Sequence, residues 1–425
     1  MTEGGRIYDV AVIGGGLAGL TAAALAGRAG KSVVVYERAE TLGGRAGTRN
    51  VDGFHFNLGP HALFRAGHAI QTLGELGIHI DEAPVGGAGS TVFFAGGVYP
   101  MPVDLMSIFK SRFLPIPGRV ELMRFLATAP RLDARAFDRL PLAEWLAARI
   151  HNREARMLIE ALIRLSTYSN APRDLSAGAA LDQFQTALRG GVIYLNGGWQ
   201  TLVNRIRDVA LQAGVIIHTG VTIDNLAMVS AHNFILAVPP KMVSAILGDA
   251  AGPDLLRWID DAKPVRAACL DLGLRALPVP NRTFSIGIDQ PLYFSAHSRW
   301  ADLAPSGNIL AHVAKYIPWN EDTDTATHRA ELERFLDQIQ PGWRDQIAHH
   351  RFMPRLNVMQ SLIRASDGGF KGRPAVDSPR SENVYIAGDW VGDEGLLADA
   401  AFASARRAAR LISRPERSIL EAQAV

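Results

Sequence analysis

Gly14, Gly16 and Gly19 are spaced G-x-G-x-x-G, and an acid, Glu37, follows them. Glycines at that spacing let a backbone turn tightly, approach a pyrophosphate and pack a helix close on a strand. A carboxylate at Glu37 accepts hydrogen bonds from a ribose diol and repels a 2′-phosphate. A second pair, Gly43 and Gly44, precedes Arg45, whose guanidinium suits a phosphate. These residue types grip a dinucleotide whose adenosine half is not NADP-like. Metal chemistry finds little support. The 12 histidines include no H-x-x-x-H or H-E-x-x-H spacing, and the single cysteine, Cys269, excludes a cysteine zinc site.

The glycines need a strand before them and a helix after. The run VAVIGGGLAGLTAAALAG, Val10 to Gly27, carries no charge and approaches the length of a membrane span. Its start, MTEGGRIYDV, carries both signs of charge, unlike a signal peptide. Three consecutive glycines would weaken a spanning helix by roughly 1 kcal/mol each relative to Ala. The run divides better into a buried strand, Tyr8 to Ile13, a turn, Gly14 to Gly19, and a helix, Leu17 to Ala29. Gly30 closes that helix, and KSVVVYE follows as a second strand ending at Glu37. The spacing predicts a βαβ unit in which Leu17 and Ala18 open the helix onto the phosphates.

The chain has 425 residues, 48% of them hydrophobic, enough for more than one buried core. Charged residues are 20% and the formal net charge is +2, so nothing points to nucleic acid. One cysteine cannot form an intrachain disulfide, which favours a reducing compartment such as the cytoplasm. Cys269, within AACLDLGL, reads as a small buried hydrophobe.

NAD and FAD both satisfy the first motif. The second loop, ERAETLGGRAGT, suits a long, extended cofactor and adds Arg38, Gly44 and Arg45 to the expected contacts. Here the chain resembles the superfamily of flavin-containing amine oxidases, carotenoid (phytoene) desaturases and protoporphyrinogen oxidases. Three further segments carry the likeness. NLGPHAL contains Gly59 and Pro60, and the matching family segment runs beside the isoalloxazine. The GGWQTLVNRIRDVALQAGVIIHTGVTIDNL segment reads as a helix near Gln200 to Ala213, a strand Val215 to His218 and a turn at Gly220. The resemblance implies that the Val221 backbone pairs with adenine. FILAVPP, Phe234 to Pro240, reads as a returning strand ended by two prolines. NVYIAGDWVGDEGLLADAAFASARRAAR reads as a strand, Val384 to Ala387, then Gly388-Asp389, then an Ala-rich helix. In the family that acid bonds the ribityl chain, and the helix start, here Leu396, Leu397 and Ala398, faces the flavin pyrimidine. The resemblance implies bound FAD, on which hydride chemistry rests, and no catalytic side chain is assigned. His61 and Trp390 each read as packing residues or as flavin neighbours.

The expected fold class is α/β, a Rossmann-type FAD-binding domain with an inserted α+β substrate domain. The expected division is 1–85, 193–240 and 377–425 for FAD, and 86–192 and 241–376 for substrate. Val92 to Pro102 reads as a hairpin around Gly96-Gly97, 103–190 as helices, 264–316 as strands of a second sheet, and 325–340 as a helix. His349 and His350 read as a surface connection. Residues 104–132, with Lys110, Arg112, Arg119, Arg124 and Arg131 against Asp104 and Glu121, allow two readings. They either cap the substrate cavity with an ordinary solvated face, the simpler reading, or rest peripherally on anionic lipid.

The amine-oxidase pattern is incomplete. A G-Y-M-type segment supplies an aromatic cage residue in those enzymes, and Leu396, Leu397 and Ala398 stand in its place. Their strand lysine has no counterpart in VRAACLDLGL, since Lys263 precedes it. The departures favour dehydrogenation of a hydrophobic small molecule, phytoene-desaturase-like or protoporphyrinogen-oxidase-like, by hydride transfer to flavin N5. The alternatives are a flavin amine oxidase and a prenyl-binding protein without flavin, like Rab GDP-dissociation inhibitors. Gly44-Arg45 and Gly388-Asp389 argue against the last.

Overall fold

The structure is a computed structural model and describes residues 6–413 apart from Thr323. The strands begin with β1 (Tyr8–Ile13), β2 (Val33–Glu37), β3 (Thr48–Val51), β4 (Phe54–Asn57), β5 (Leu63–Phe64) and β6 (Glu82–Pro84). They continue as β7 (Ser90–Phe94), β8 (Gly97–Pro100), β9 (Val192–Leu195), β10 (Ile216–Thr219), β11 (Ala231–Leu236) and β12 (Val265–Leu274). The last are β13 (Phe284–Gly287), β14 (Leu292–Ser295), β15 (Ile309–Ile317), β16 (Ile347–Met359) and β17 (Val384–Ile386). The first helices are α1 (Leu17–Arg28), α2 (His68–Glu75), α3 (Leu105–Phe109), α4 (Ile116–Thr128), α5 (Leu142–Arg149) and α6 (Arg153–Thr167). The rest are α7 (Ala177–Gly190), α8 (Trp199–Gln212), α9 (Pro240–Leu247), α10 (Pro253–Asp261), α11 (Thr325–Ile339) and α12 (Leu397–Ser413).

Five strands form a wholly parallel sheet in the order β10-β2-β1-β11-β17. Its central strand explains the uncharged opening run: Val10, Ala11 and Val12 are completely buried between helical layers, the placement that a continuous apolar strand requires. α1 packs against α8 and α12. Ala22, Ala23 and Ala26 on α1 and Ala401, Ala405 and Ala408 on α12 are all buried in that core. Such small side chains permit close helix packing.

Seven strands form a second, mixed sheet in the order β16-β12-β15-β14-β13-β7-β8, with β13 and β7 parallel. The expected β7–β8 hairpin is present, turning at Ala95-Gly96. The second sheet's strand β12 pairs with β15 and β16 along its whole length. Helices α3 to α7 pack their apolar faces with this sheet in one core, and α11 packs on its other face. Among the described residues, no helix is long and apolar enough to cross a membrane.

One reading needs correction. His349 and His350 are not in a connection; they lie in β16, a long edge strand whose exposure alternates. Its mixed polar pattern and Pro354 hide it, and both are features of edge strands. Residues 241–261, expected beside the substrate, send Val243, Ile246, Leu255 and Ile259 into the parallel-sheet core. The prolines after β11 do end that strand, and they also start α9.

Candidate functional site

A single cavity of about 530 Å³ runs from the glycine turn to the second sheet. At one end Gly14, with φ at +109°, has no room for a side chain: a Cβ would sit 2.5 Å from the Ala237 oxygen. Gly19 is tighter still, with a Cβ position 1.9 Å from the Gly14 oxygen. Gly16 differs: the nearest atom to its Cβ position is the Gly43 oxygen at 3.9 Å. Gly16 is the N-cap of α1, and no side chain caps the helix. Leu17 and Ala18 therefore present unclaimed helix-start character to the cavity.

Glu37 shapes this turn as well as lining it. Its carboxylate accepts from the Gly15 N–H at 2.6 Å and the Ala39 N–H at 2.9 Å. A carboxylate has about four acceptor positions, so a ribose diol can still be accommodated. Arg38 lines the same end. The Val221 N–H donates to the Glu37 carbonyl at 3.0 Å, so any adenine contact at Val221 falls to its carbonyl.

Arg45 departs from the sequence expectation. Its guanidinium donates to both oxygens of Asp389, at 2.7 and 2.8 Å, and to the Val358 carbonyl at 2.8 Å. Burial opposes its charge, but Asp389 overcomes this and raises the Arg45 pKa above its ordinary value. Asp389 also accepts from the Gln360 N–H at 3.1 Å. Each residue was expected on the cofactor; with opposite charges within reach, they first hold each other. Arg45 still has 40% of its side chain accessible, because it forms cavity wall.

Beyond Asp389 the chain bends into α12. Buried Arg373 donates to the carbonyls of Asp389, Glu394 and Gly395 and so fixes this loop. Burial lowers its pKa to about 10. Leu397 begins α12 with φ at +54°, a left-handed conformation that bulky residues rarely adopt. Leu397 and Ala398 line the cavity, and Asp399 beside them accepts from the Ala69 N–H at 2.8 Å. Strained backbone held by its surroundings clusters at functional sites; nothing in the residue type signalled it.

The opposite wall comes from the second sheet and the residue that caps the end of α6: Ala267 and Cys269 of β12, Leu356, Asn357 and Val358 of β16, and Tyr168. Tyr168 also has positive φ, and its hydroxyl donates to the Pro60 carbonyl at 2.9 Å. Cys269 is buried, as its sequence surroundings indicated, and burial pushes its thiol pKa well up. Pro60 lines the cavity but Gly59 does not; its Cβ position faces Cys269 and Leu356. Trp390 lines the cavity too, yet it is 1% exposed and stacks on Trp258. His61 sits with each ring nitrogen 3.1 Å from a backbone carbonyl, of Gly59 and of Arg45. Burial lowers its pKa to about 4, so it is neutral at pH 7 and donates to only one of them.

Of the expected cofactor residues, Gly14, Gly16, Leu17, Ala18, Glu37, Arg38, Gly44, Arg45, Pro60, Val221, Gly388, Asp389, Leu397 and Ala398 share this one cavity. Gly19 and Gly59 pack behind it. Sequence reasoning missed Tyr168, Gln360, Arg373 and the β16 wall, which carry no motif. Among the described residues no cluster of His, Cys, Asp or Glu could hold a metal.

A cradle that stays open only at Gly16 and Gly44, beside an uncapped helix start, fits a pyrophosphate. A parallel sheet carrying that cradle, closed by a second sheet, is the architecture of a dinucleotide-binding site. The model of the flavin containing amine oxidoreductase family matches residues 17–230. The chain belongs to that family. It is 26% identical over 265 residues to a 4,4'-diaponeurosporene oxygenase of Staphylococcus aureus, covering 52% of this chain and 51% of that protein. In that match the chain spans about half the length of its curated relative. It is 21% identical to a 4,4'-diapolycopen-4-al dehydrogenase of Metabacillus indicus, covering 89% and 92% of the two chains. The solved cyclohexylamine oxidase of Brevibacterium oxydans shares the fold, with a TM-score of 0.71 and 18% identity over 96% of this chain and 99% of that one.

Proposed function

We propose that this oxidoreductase dehydrogenates an extended, apolar polyene or its more saturated precursor. The carrying observation is the wall that faces the cofactor cradle. The second sheet contributes Ala267, Cys269, Leu356, Asn357 and Val358, and none carries a charge. Such a wall desolvates an apolar chain without stranding a charge and offers a protonated amine no counter-charge of its own. Lys315, a lysine of the second sheet, is bound to Glu321 and Glu331 and does not line the cavity. The names of the two curated relatives, both carotenoid enzymes, support the same substrate class.

When bound, FAD supplies the hydride acceptor. In this reading the Gly14–Gly19 turn and α1 hold the pyrophosphate, Glu37 the adenosine ribose, and Asp389 the ribityl chain. The α12 start at Leu397 and Ala398 lends its positive dipole to the pyrimidine, where reduction places negative charge. The chain then divides into an FAD-binding unit of 1–85, 193–262 and 377–425 and a substrate-binding unit between those segments.

Anaerobic mixing of the purified flavoprotein with candidate donors tests the reading. A carotenoid precursor in detergent is expected to bleach the flavin, and a primary amine is not. A porphyrinogen that bleaches it faster would favour the flat tetrapyrrole class, which the same apolar wall admits. Bleaching by a primary amine alone would overturn the proposal.

A further inference from the structure

Large apolar side chains are exposed singly over most of this surface, as at Leu188, Leu211 and Met228, which is ordinary. One stretch is different. Val103, Leu105, Met106, Phe109, Ile116 and Val120 are each between 55% and 73% exposed, and all fall within α3, the start of α4 and the residues beside them. The display is anchored. Ile108, Phe113 and Leu114 between them are buried in the core below. The Arg119 guanidinium donates to the carbonyls of Phe109, Ser111 and Leu114, tying the α3–α4 connection together. Asp104 caps α3 through a reciprocal bond with Ser107. The outward apolar face is thus a built surface.

Its charge selects the occupant. Lys110, Arg112 and Arg124 are exposed and, among the described residues, none has a carboxylate within ion-pair distance. The two acids nearby are committed, Asp104 to its cap and Glu121 to the Asn152 N–H at 2.8 Å. A two-fold contact between copies would set these cations against themselves. An anionic lipid surface complements both the apolar face and the cations.

We propose that the α3–α4 face, residues 103–124, docks this protein peripherally on an anionic membrane. Below the face, Ile108, Phe113 and Leu114 share one apolar cluster with Cys269, Leu356, Leu397 and Tyr168 of the cavity wall. Docking there places lipid against the same body of apolar side chains that lines the cavity. The claim rests on the surface alone, so it can fail while the apolar-substrate reading survives, and the reverse.

Co-sedimentation of the flavin-loaded protein with phosphatidylcholine vesicles, with and without phosphatidylglycerol, tests it. Binding is expected only when phosphatidylglycerol is present and is expected to weaken with salt. Neutralising Lys110→Gln and Arg112→Gln together should lower the partition coefficient more than tenfold, at roughly fivefold per charge. F109S with I116S should abolish binding. Flavin content and melting temperature report that both variants fold. Absence of wild-type binding, or variants that bind like wild type, overturns the proposal. So does a wild-type dimer in light scattering that F109S with I116S dissolves, since the face would then belong to a second copy.

Discussion

Glu37 and Asp389 each do two things, and their substitutions should show it. Glu37→Ala removes the acceptor for the Gly15 N–H along with the ribose partner. Asp389→Ala leaves the Arg45 guanidinium without its carboxylate. A hydrogen bond to a charged group is worth about 1.5–3 kcal/mol, so each variant should bind FAD roughly ten- to a hundredfold more weakly. Fluorescence titration of the flavin-free protein measures this, and full flavin content in both variants would refute the assignment. Asp399 sets a pH dependence. Burial raises its carboxyl to about 7 from the usual 3.8, against the opposing bond from Ala69. The folded protein then holds a proton that the unfolded chain releases. That contribution is complete below about pH 4 and is lost as pH rises through about 7, on the order of 4 kcal/mol in all. Melting temperatures of wild type should therefore fall between pH 5 and pH 8, and those of Asp399→Asn should fall less. The motif residues were legible from the sequence because glycines and paired charges have few other reasons to sit at those spacings. Asp399 was not, because its environment is supplied by Gly67 and Ala69, over 300 positions away.

The glycine turn separates fold from function within a single element. Gly19→Ala drives a methyl into the Gly14 carbonyl, where no rearrangement short of moving α1 makes room. It should lower stability by several kcal/mol with or without FAD. Gly16→Ala meets no protein atom closer than 3.9 Å and keeps an allowed backbone, φ −80° and ψ −174°. It should leave the flavin-free melting temperature within a few degrees of wild type and still abolish flavin retention. Equal damage from both changes would mean that Gly16 is merely structural. The βαβ unit, α8, α11 and α12 were all legible because each carries one clean period or one apolar run. β16 was not: an edge strand needs no continuous hydrophobic face, and its alternation is broken by Pro354. The short strands β5, β6 and β9 were missed for a related reason, being only two to four residues long.

At the scale of the molecule, the Arg45–Asp389 pair joins the first cofactor block to the last. Through Val358 and Gln360 it also joins both to the second sheet. Removing Arg45 strands a buried carboxylate, at about 3–5 kcal/mol, whereas removing Asp389 leaves a guanidinium that is 40% exposed and should cost less. Arg45→Met combined with Asp389→Asn should cost clearly less than the sum of the two single changes. A double-mutant cycle by chemical denaturation should return a coupling of about 1–3 kcal/mol, and additivity would show that the pair is no clamp. The sequence made both residues visible and hid their partnership, because each was read against a ligand and neither against the other. A second buried pair, Asp271 to His312 at 2.6 Å, with Arg351 on the same carboxylate, fastens β12 to β15 and β16. No motif announced it.

That clamp also sets a clock. Its halves lie 344 positions apart, and a ribosome adding about 5–20 residues per second needs roughly 20–70 s to travel between them. For nearly all of that interval β1 and β2 have been made and β17 has not, and α12 follows only after it. The apolar strands of the parallel sheet wait with unpaired edges, a state open to aggregation. Flavin cannot be secured by its finished site before the chain is nearly complete. Cells making many copies at once should therefore accumulate insoluble chains before they run short of FAD, and lowering the number of chains made at a time, with elongation unchanged, should rescue yield better than feeding riboflavin.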